Sequence, residues 1–252
     1  MEELLVRAAD WMATANKTIT FTGAGVSTES GIPDFRSAGG LWTRYDPTEY
    51  ATLGAFLRNP AKVWEMLVEM EKVFDTSPNS GHVALAELEA EGALAGIITQ
   101  NVDGLHQAAG SRHVVEFHGS GRTFSCLTCG ASYPRATVRA LPVPPKCTRV
   151  VGGKACQAIL KPDVVFFDEM IPPKAIAEAE QLVQGAELIL VAGTSCEVFP
   201  AAEIPQQVRR QGGRIVEINL EPADQLRPDL SLIGSFSAVT SKLRELWLAR
   251  RS

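Results

Sequence analysis

The chain has 252 residues, of which 45% are hydrophobic, and its 24 lysines and arginines against 29 aspartates and glutamates give a formal net charge of −5. This length accommodates one large domain, or a large domain with a small insertion, and the negative charge argues against a protein that binds nucleic acid by neutralising phosphates. The sequence has no uninterrupted apolar stretch of membrane-spanning length and no basic start followed by an apolar block, so we expect a cytoplasmic protein with no membrane partner and no secretory signal.

The chain opens with a pattern that predicts an amphipathic helix followed by a buried strand. Apolar residues recur at helical spacing at Leu4, Leu5, Ala8, Ala9 and Met12. Residues 18–21 then predict a short strand that runs directly into the glycine turn at residues 23–25. A strand that ends in a glycine turn is where open α/β sheets bind nucleotide phosphates.

Four further strands are predicted, and helical patterns lie between several of them. The strand candidates are residues 96–99, 113–117, 187–192 and 213–219, and the helical patterns include residues 83–91 and 174–183. This alternation predicts an α/β protein with a Rossmann-like, doubly wound parallel sheet.

Two regions interrupt the alternation and predict a small inserted domain. Residues 37–79 carry helical segments around 47–57 and 60–74 without a strong strand, and residues 122–160 carry four clustered cysteines. We therefore expect a Rossmann-like nucleotide-binding domain formed by residues 1–36, 80–121 and 161–252. The small domain would combine a helical insertion, residues 37–79, with a cysteine-rich insertion, residues 122–160.

The four clustered cysteines predict one structural zinc ion. Cys126 and Cys129 are separated by two residues, as in a zinc knuckle, whereas eight residues separate Cys147 from Cys156, which is wider than usual. Four thiolates saturate tetrahedral Zn²⁺ and leave no place for water, so the role would be structural, in a zinc ribbon. Buried thiols or disulfides are the alternative. The fifth cysteine, Cys196, is either a nucleotide contact or a buried structural thiol.

The glycine turn belongs to a longer motif that favours a phosphate ligand. Gly23 and Gly25 form a Gly-x-Gly pair, but Thr28 stands where the dehydrogenase fingerprint has its third glycine. A glycine turn without a ligand is the alternative for so short a match. The continuation to Asp34-Phe35-Arg36 changes the balance, because Arg36 adds a charged donor to backbone amides that glycine leaves accessible.

Four motifs in this order resemble those of the sirtuin family, of the bacterial or archaeal type. They are GAGVSTESGIPDFRS from residue 23, TQNVDGLH at residues 99–106, His118-Gly119 after the strand 114–117, and GTS at residues 193–195 continuing into VFPAA at 198–202. The likeness extends from about residue 4 to about residue 246. It implies an NAD-dependent protein-lysine deacylase with a Rossmann-like domain and a small zinc-containing domain.

The resemblance also implies which residues hold NAD. These are Gly23, Ala24, Gly25, Asp34, Phe35 and Arg36 in the first motif, Gln100, Asn101 and Asp103 in the second, Gly193, Thr194 and Ser195 in the fourth, and Asn219, Glu221, Gly234 and Ser235 around the adenosine. Asn101, a candidate catalytic residue as well, would hold the nicotinamide ribose and a water, and Gln100 would hold the ribose. Asp103 would hold the nicotinamide amide, while Phe35 would shield the reactive face. From the residues alone, Asp103 is equally a polar cap of the next helix.

His118 is the candidate general base. Among the histidines at 82, 106, 113 and 118, only His118 combines a strand end with a following glycine, which leaves room for a substrate at its ring. An unperturbed histidine titrates near neutrality, which suits a base, and the resemblance implies this role. His106 is expected to pack on the helix after Asp103.

Two further segments are expected to hold the acylated substrate. The residues Lys161–Glu169 by themselves indicate a core strand, but the resemblance implies that Val165, Phe166 and Phe167 line an acyl-lysine tunnel. A substrate peptide would enter as an added strand between this segment and Glu197-Val198-Phe199.

The choice of acyl group is expected to depend on one helix of the small domain. In sirtuins that prefer succinyl- or malonyl-lysine, a tyrosine and an arginine three residues apart follow a tryptophan and bind the distal carboxylate. Here Trp64 is followed by Leu67 and Met70 at those places. Because a buried carboxylate without a cation is costly, we expect acidic acyl groups to be rejected and apolar ones accepted. Alternatively, both residues are only core positions of an amphipathic helix.

Together these features predict removal of acetyl and longer apolar acyl groups from the lysines of protein or peptide substrates. The reaction would consume NAD and release nicotinamide and O-acyl-ADP-ribose. A mono-ADP-ribosyltransferase cleaving the same bond is the nearest alternative. An ordinary NAD oxidoreductase is disfavoured by Thr28, and a non-catalytic zinc-ribbon binding module by the complete set of nucleotide motifs.

Overall fold

The computed structural model describes residues 1–35, 39–71 and 75–250. The strands in these residues, in chain order, are β1 (Thr18–Thr22), β2 (Ile97–Thr99), β3 (Val114–Glu116), β4 (Gly119–Ser125), β5 (Ser132–Pro134), β6 (Val150–Val151), β7 (Lys154–Ala155), β8 (Lys161–Val164), β9 (Leu188–Ala192), β10 (Arg214–Asn219) and β11 (Leu230–Ile233). The α-helices are α1 (Glu2–Thr14), α2 (Pro47–Tyr50), α3 (Leu53–Arg58), α4 (Pro60–Met70), α5 (Ser80–Ala90), α6 (Leu105–Ala108), α7 (Arg135–Arg139), α8 (Pro173–Val183), α9 (Glu203–Arg210) and α10 (Phe236–Leu248).

A six-stranded parallel sheet forms the centre of the molecule. Its strand order is β11-β10-β9-β1-β2-β3, and every neighbouring pair is parallel. The chain builds outward from β1 through β2 to β3, then returns to place β9 on the other side of β1. This reversal puts a topological switch point between β1 and β9, where open α/β sheets bind ligands at the carboxyl ends of the strands.

Helices cover both faces of this sheet, as the predicted doubly wound fold requires. One apolar core joins the sheet to α1, α5 and α10, and a second joins the opposite face to α8 and α9. Every residue of β1 and of β9 is buried, which is typical of parallel strands covered on both sides. None of the helices in the described residues is long and apolar enough to cross a membrane.

The two predicted insertions share a third apolar core. The strands β5, β4 and β8 form an antiparallel sheet that packs with α3 and α4. Trp64 of α4 stacks on Phe124 of β4 with ring centroids 5.8 Å apart, and its indole N–H donates to the Leu160 carbonyl at 2.9 Å. The helical and the cysteine-rich segments are therefore one packed unit beside the parallel sheet.

Local signals explain where the observed elements differ from the predicted ones. The helix predicted over 83–91 begins earlier, at Ser80, because Asn79 caps it by accepting from the backbone amides of Gly81 and His82. The segment 47–57 divides into two helices, since Thr52 caps a new helix by accepting from the Ala55 amide. The part of segment 60–74 beyond residue 71 lies outside the described residues.

Candidate functional site

A cavity of about 950 Å³ opens at the carboxyl ends of the central strands. It is lined by these predicted site residues: Gly23, Ala24, Gly25, Asp34, Phe35, Leu67, Met70, Gln100, Asn101, Asp103, His118, Val165, Phe166, Phe167, Gly193, Thr194, Ser195, Val198, Asn219, Glu221 and Gly234. Arg36 lies outside the described residues. Ser235 does not line the cavity; it caps α10 by accepting from the Ala238 amide. One continuous space thus joins the predicted nucleotide and acyl positions.

Two glycine loops meet at the switch point. Gly25 follows β1, Gly193 follows β9, and the Gly25 amide donates to the Gly193 carbonyl at 2.9 Å. A Cβ on Gly25 would lie 2.8 Å from the Gly193 Cα, and Gly193 has a φ of +61°. Gly25 is required because the opposite loop leaves no room for a Cβ, and Gly193 is required because of its positive φ. The close approach brings both loops to the wall of the cavity, where glycine leaves room for a pyrophosphate ligand.

A hydrogen-bonded group of polar side chains follows β2. The Asn101 amide nitrogen donates to the Ser27 hydroxyl at 3.1 Å, and that hydroxyl donates to Asp103 Oδ2 at 2.8 Å. The other oxygen of Asp103 accepts from the Leu105 amide, so the residue is also a helix cap, as the alternative interpretation stated. Ser27 was not singled out from sequence. Its place in the first motif was the available signal, but its partners lie more than 70 residues away.

Two buried histidines adjoin this group. His106 Nε2 lies 2.9 Å from the Thr22 hydroxyl, and the His82 ring lies 4.8 Å from the His106 ring, centroid to centroid. Burial lowers the pKa of His82 to about 4 and that of His106 well below its ordinary value. Both rings are therefore neutral at physiological pH, and neither lines the cavity.

His118 lies on the cavity wall at the end of β3. Its Nδ1 is 3.3 Å from the Gln100 backbone carbonyl, which can only accept, so the proton sits on Nδ1 and Nε2 is left as the basic nitrogen. Burial lowers the pKa of His118 below its ordinary value, and the hydrogen bond to Gln100 opposes this shift in part. The imidazole is thus unprotonated and available as a base at neutral pH.

The predicted substrate segment is partly engaged by the protein itself. The Phe167 amide donates to the Ala51 carbonyl at 2.8 Å, and the Phe167 carbonyl accepts from the Leu53 amide at 2.9 Å. The Val165 amide donates to the His118 carbonyl at 2.8 Å. Both main-chain groups of Phe167 are thus bonded within the protein, so its side chain, which lines the cavity, is the part best placed to contact a substrate.

The acyl end of the cavity is bounded by α4. Leu67 lines the cavity and is also part of the small core, so both interpretations of this residue hold. Two cations that sequence reasoning missed, Arg44 and Arg135, line the same space. Arg44 pairs with Glu69 and Arg135 with Glu71, the latter pair at 2.6 Å. Their charges are therefore already balanced by carboxylates of the chain.

The four predicted cysteines come together in the small unit. Their sulfurs all lie within 4.8 Å of one another. The Cys126–Cys156 and Cys129–Cys147 Sγ distances are 3.6 and 3.5 Å, close to the spacing of about 3.8 Å that a tetrahedron of Zn–S bonds of about 2.3 Å requires.

The wide spacing between the second pair of cysteines is explained by a short antiparallel hairpin between them. The hairpin of β6 and β7 accommodates the residues between Cys147 and Cys156. The cluster fits one structural zinc ion.

Cys196 has no part in either site. Its side chain is buried and does not line the cavity, and burial raises the pKa of its thiol to about 12. Of the two interpretations offered by the sequence, the geometry supports a buried structural thiol.

Comparison with known proteins points to a single family. Residues 23–200 match the model of the Sir2 family. The chain is 47% identical over 222 residues to "NAD-dependent protein deacylase 2" of Pyrobaculum aerophilum, which covers 86% of this chain and 85% of that protein. It is 44% identical over 246 residues to "NAD-dependent protein deacylase 1" of Archaeoglobus fulgidus, covering 96% of each.

Solved structures of Sir2 proteins have the same fold over nearly the whole length of this chain. The crystal structure of a Sir2 homologue in complex with NAD matches with a TM-score of 0.89 at 42% identity, covering 98% of this chain and 94% of that one. The structure of Sir2Af2 bound to a myristoylated histone peptide matches with a TM-score of 0.83 at 32% identity, covering 100% and 99%.

Proposed function

The chain belongs to the Sir2 family, and we propose that it removes acyl groups from protein lysines in an NAD-dependent reaction carried out in the cavity described above. Its curated relatives are NAD-dependent protein deacylases. The observation that carries the proposal is that His118 and Asn101 share one cavity with the apolar residues Leu67 and Phe166. A base and an acyl-binding wall are thus presented to the same reacting atoms.

Bound NAD would supply an ADP-ribosyl group with nicotinamide as its leaving group. Asn101 and Asp103, held by Ser27, orient the nicotinamide half, while Gly25 and the Gly193 loop hold the pyrophosphate. Fixing the acyl oxygen next to the reacting ribose carbon is mainly a positioning task. The overall balance is acyl-lysine, NAD and water giving lysine, nicotinamide and O-acyl-ADP-ribose.

His118 acts as the general base of this scheme. Once the acyl oxygen has displaced nicotinamide at the ribose carbon, Nε2 would take the proton of a neighbouring ribose hydroxyl, so that this oxygen can bond to the acyl carbon; water would then complete the transfer and release lysine. The Gln100 carbonyl keeps the second ring nitrogen protonated. Burial, by lowering the pKa of the ring, keeps it unprotonated over the physiological range.

The proposal includes a division into domains and a cellular setting. Residues 1–36, 80–121 and 161–252 form the NAD-binding domain, and residues 37–79 and 122–160 together form the small domain. Substrates are acyl-lysine proteins or peptides, which suit a chain with a net charge of −5 better than nucleic acid does. A four-thiolate zinc cluster is typical of a reducing compartment, which supports the cytoplasm.

A single assay tests the proposal against its alternatives. The purified protein is mixed with NAD and an acetyl-lysine peptide, and nicotinamide, deacetylated peptide and O-acetyl-ADP-ribose are measured by mass spectrometry. Equal amounts of all three are expected. Transfer of ADP-ribose onto protein would favour the transferase instead, NADH formation an oxidoreductase, and no turnover a binding module.

A further inference from the structure

Glu217 is a fully buried carboxylate in the middle of β10, and the scheme above leaves it without a role. Its oxygens accept from the Asn219 side-chain amide at 2.9 Å, the Ala223 backbone amide at 2.6 Å and the Ser231 hydroxyl at 2.7 Å. All three partners found in the described residues are neutral. A carboxylate has acceptor sites on both oxygens, so this one side chain serves all three donors, and the groups that these bonds hold in place indicate its use.

Glu217 determines which way the Asn219 amide points. Asn219 Oδ1 accepts from the Thr194 amide at 3.1 Å, and Nδ2 donates to the Thr194 carbonyl at 3.1 Å as well as to Glu217. If the amide turned over, its oxygen would face the Glu217 carboxylate and its NH₂ would face the Thr194 N–H. The acceptor oxygen of Glu217 therefore selects the orientation in which Asn219 bonds to both the amide and the carbonyl of Thr194, in the loop after β9.

The same bonds continue to the general base. The Gln100 side-chain amide donates to the Thr194 hydroxyl at 2.9 Å, and the Gln100 backbone carbonyl accepts from His118 Nδ1. Hydrogen bonds therefore connect Glu217, Asn219, Thr194, Gln100 and His118 in series, with the covalent frames of Thr194 and Gln100 joining one bond to the next. Asn219, Thr194, Gln100 and His118 all line the cavity, whereas Glu217 lies behind it.

Glu217 also ties down the segment that follows β10. Leu220, Glu221, Pro222 and Ala223 all line the cavity, and the Ala223 amide ends this segment on Glu217. One side chain therefore holds both the Asn219 amide and the loop beside it, the two elements expected around the adenosine ribose.

We propose that Glu217 is a positioning residue for NAD, which fixes Asn219 and residues 220–223 for the adenosine half and steadies the Thr194–Gln100 contact that supports His118. The inference rests on the proposed function for its ligand. Glu217 acts through the position of its acceptor oxygens, and its negative charge is not required.

Four substitutions separate position from charge. Glu217→Gln keeps an acceptor oxygen for Asn219 and Ala223 and can donate to Ser231, whose hydroxyl accepts equally well. Glu217→Asp keeps the charge but is one carbon shorter, and Glu217→Met keeps the length without an acceptor. Ser231→Ala is the matched control, because it removes one bond to Glu217 and leaves those of Asn219 and Ala223.

The primary measurement is the dissociation constant of ADP-ribose by isothermal titration calorimetry, with the melting temperature of each variant recorded alongside. Glu217→Asp and Glu217→Met are expected to weaken binding about tenfold or more, the loss of one or two hydrogen bonds. Glu217→Gln and Ser231→Ala should stay within about threefold of the parent. In turnover, KM for NAD should rise in parallel while KM for the peptide stays within about twofold, a split that general destabilisation would not produce.

Several outcomes would overturn the inference. Unchanged ADP-ribose binding in whichever of Glu217→Asp and Glu217→Met is folded would make Glu217 only a structural residue. An equal loss in Glu217→Gln would assign the effect to charge, and an equal loss in Ser231→Ala would assign it to loosening of the sheet. The binding measurement does not depend on catalysis, so a parent protein that binds ADP-ribose but releases no nicotinamide would refute the deacylase proposal alone.

Discussion

The buried pair His82 and His106 predicts a loss of folding stability in mild acid. The unfolded His82 has a pKa of about 6.5, whereas burial lowers the pKa in the folded protein to about 4. Between these values the unfolded chain binds more protons, so stability is fully present above the unfolded pKa and falls as the pH falls towards the folded one. From pH 7.5 to pH 5, His82 alone should cost about 2 kcal/mol, at 1.36 kcal/mol per unit of pKa.

The assay is urea unfolding at these two pH values for the parent and for His82→Gln. The side-chain oxygen of glutamine can still accept from the Asn79 backbone amide, as in a capping box, but glutamine does not titrate. The variant is expected to lose about 2 kcal/mol less than the parent between the two pH values. Protonation of the zinc ligands occurs in both proteins and cancels from this comparison. Because His82 contributes to the lowered pKa of His106, the difference between the two proteins belongs to the histidine pair.

Leu88→Ala, in the same helix, is the control. Leu88 is buried and carries no titratable group, so its truncation should cost about 2–5 kcal/mol equally at both pH values. If the parent and His82→Gln lost the same free energy of unfolding on acidification, burial would not lower the pKa of His82 as stated.

The remaining predictions concern the base, the metal, the acyl group and the backbone. His118→Ala should abolish deacylation while ADP-ribose binding stays within a few-fold by calorimetry, and in the parent the acid limb of kcat/KM should lie below pH 6.5, since burial lowers the pKa of His118; near-parent turnover of the variant would contradict its role. Elemental analysis should find one zinc per chain, and Cys147→Ser should release it and unfold the small unit, because structural zinc contributes folding energy directly; full activity without zinc would exclude this. On one peptide, acetyl- and myristoyl-lysine should be turned over far better than succinyl-lysine, because Leu67 and Met70 offer no cation and each buried methylene adds about 0.8 kcal/mol; equal efficiency on succinyl-lysine would point to Arg44 as an available partner. Asp168 has a φ of +62°, so Asp168→Val should lower the free energy of unfolding by about 1–2 kcal/mol relative to Asp168→Gly, as measured in urea; no difference would mean that the backbone relaxes there.

The sequence predicted the central fold because parallel strands buried on both faces are continuous apolar runs bounded by glycine turns. The strand β11 was missed, since Leu230–Ile233 is only four residues long and follows a proline-containing loop. The helices α9 and α10 were not singled out either. The division of segment 47–57 depends on the single cap at Thr52, which periodicity does not reveal.

The residues that line the cavity could be predicted where they belong to long sequence motifs. The contacts behind this lining could not be predicted. Glu217 left one trace, a carboxylate inside the apolar run Ile215–Ile218, where a buried strand has no reason to keep a charge. Its partners Ala223 and Ser231 lie beyond the strand. The arginines that line the acyl end were missed because both pairings depend on tertiary packing: Arg44 meets Glu69 within the helical insertion, and Arg135 meets Glu71 across the two insertions.

The pairing of β1 with β9 has a consequence for synthesis of the chain on the ribosome. Thr22 pairs with Ala192, so the first glycine loop is made 170 residues before the loop that closes against it. At about 5–20 residues per second, this separation corresponds to roughly 9–34 seconds of translation. During that time the edge of β1 that β9 will cover stays unpaired in the middle of the future sheet, and it can pair with a wrong strand. Protection of the nascent chain matters most between the emergence of β1 and that of β9.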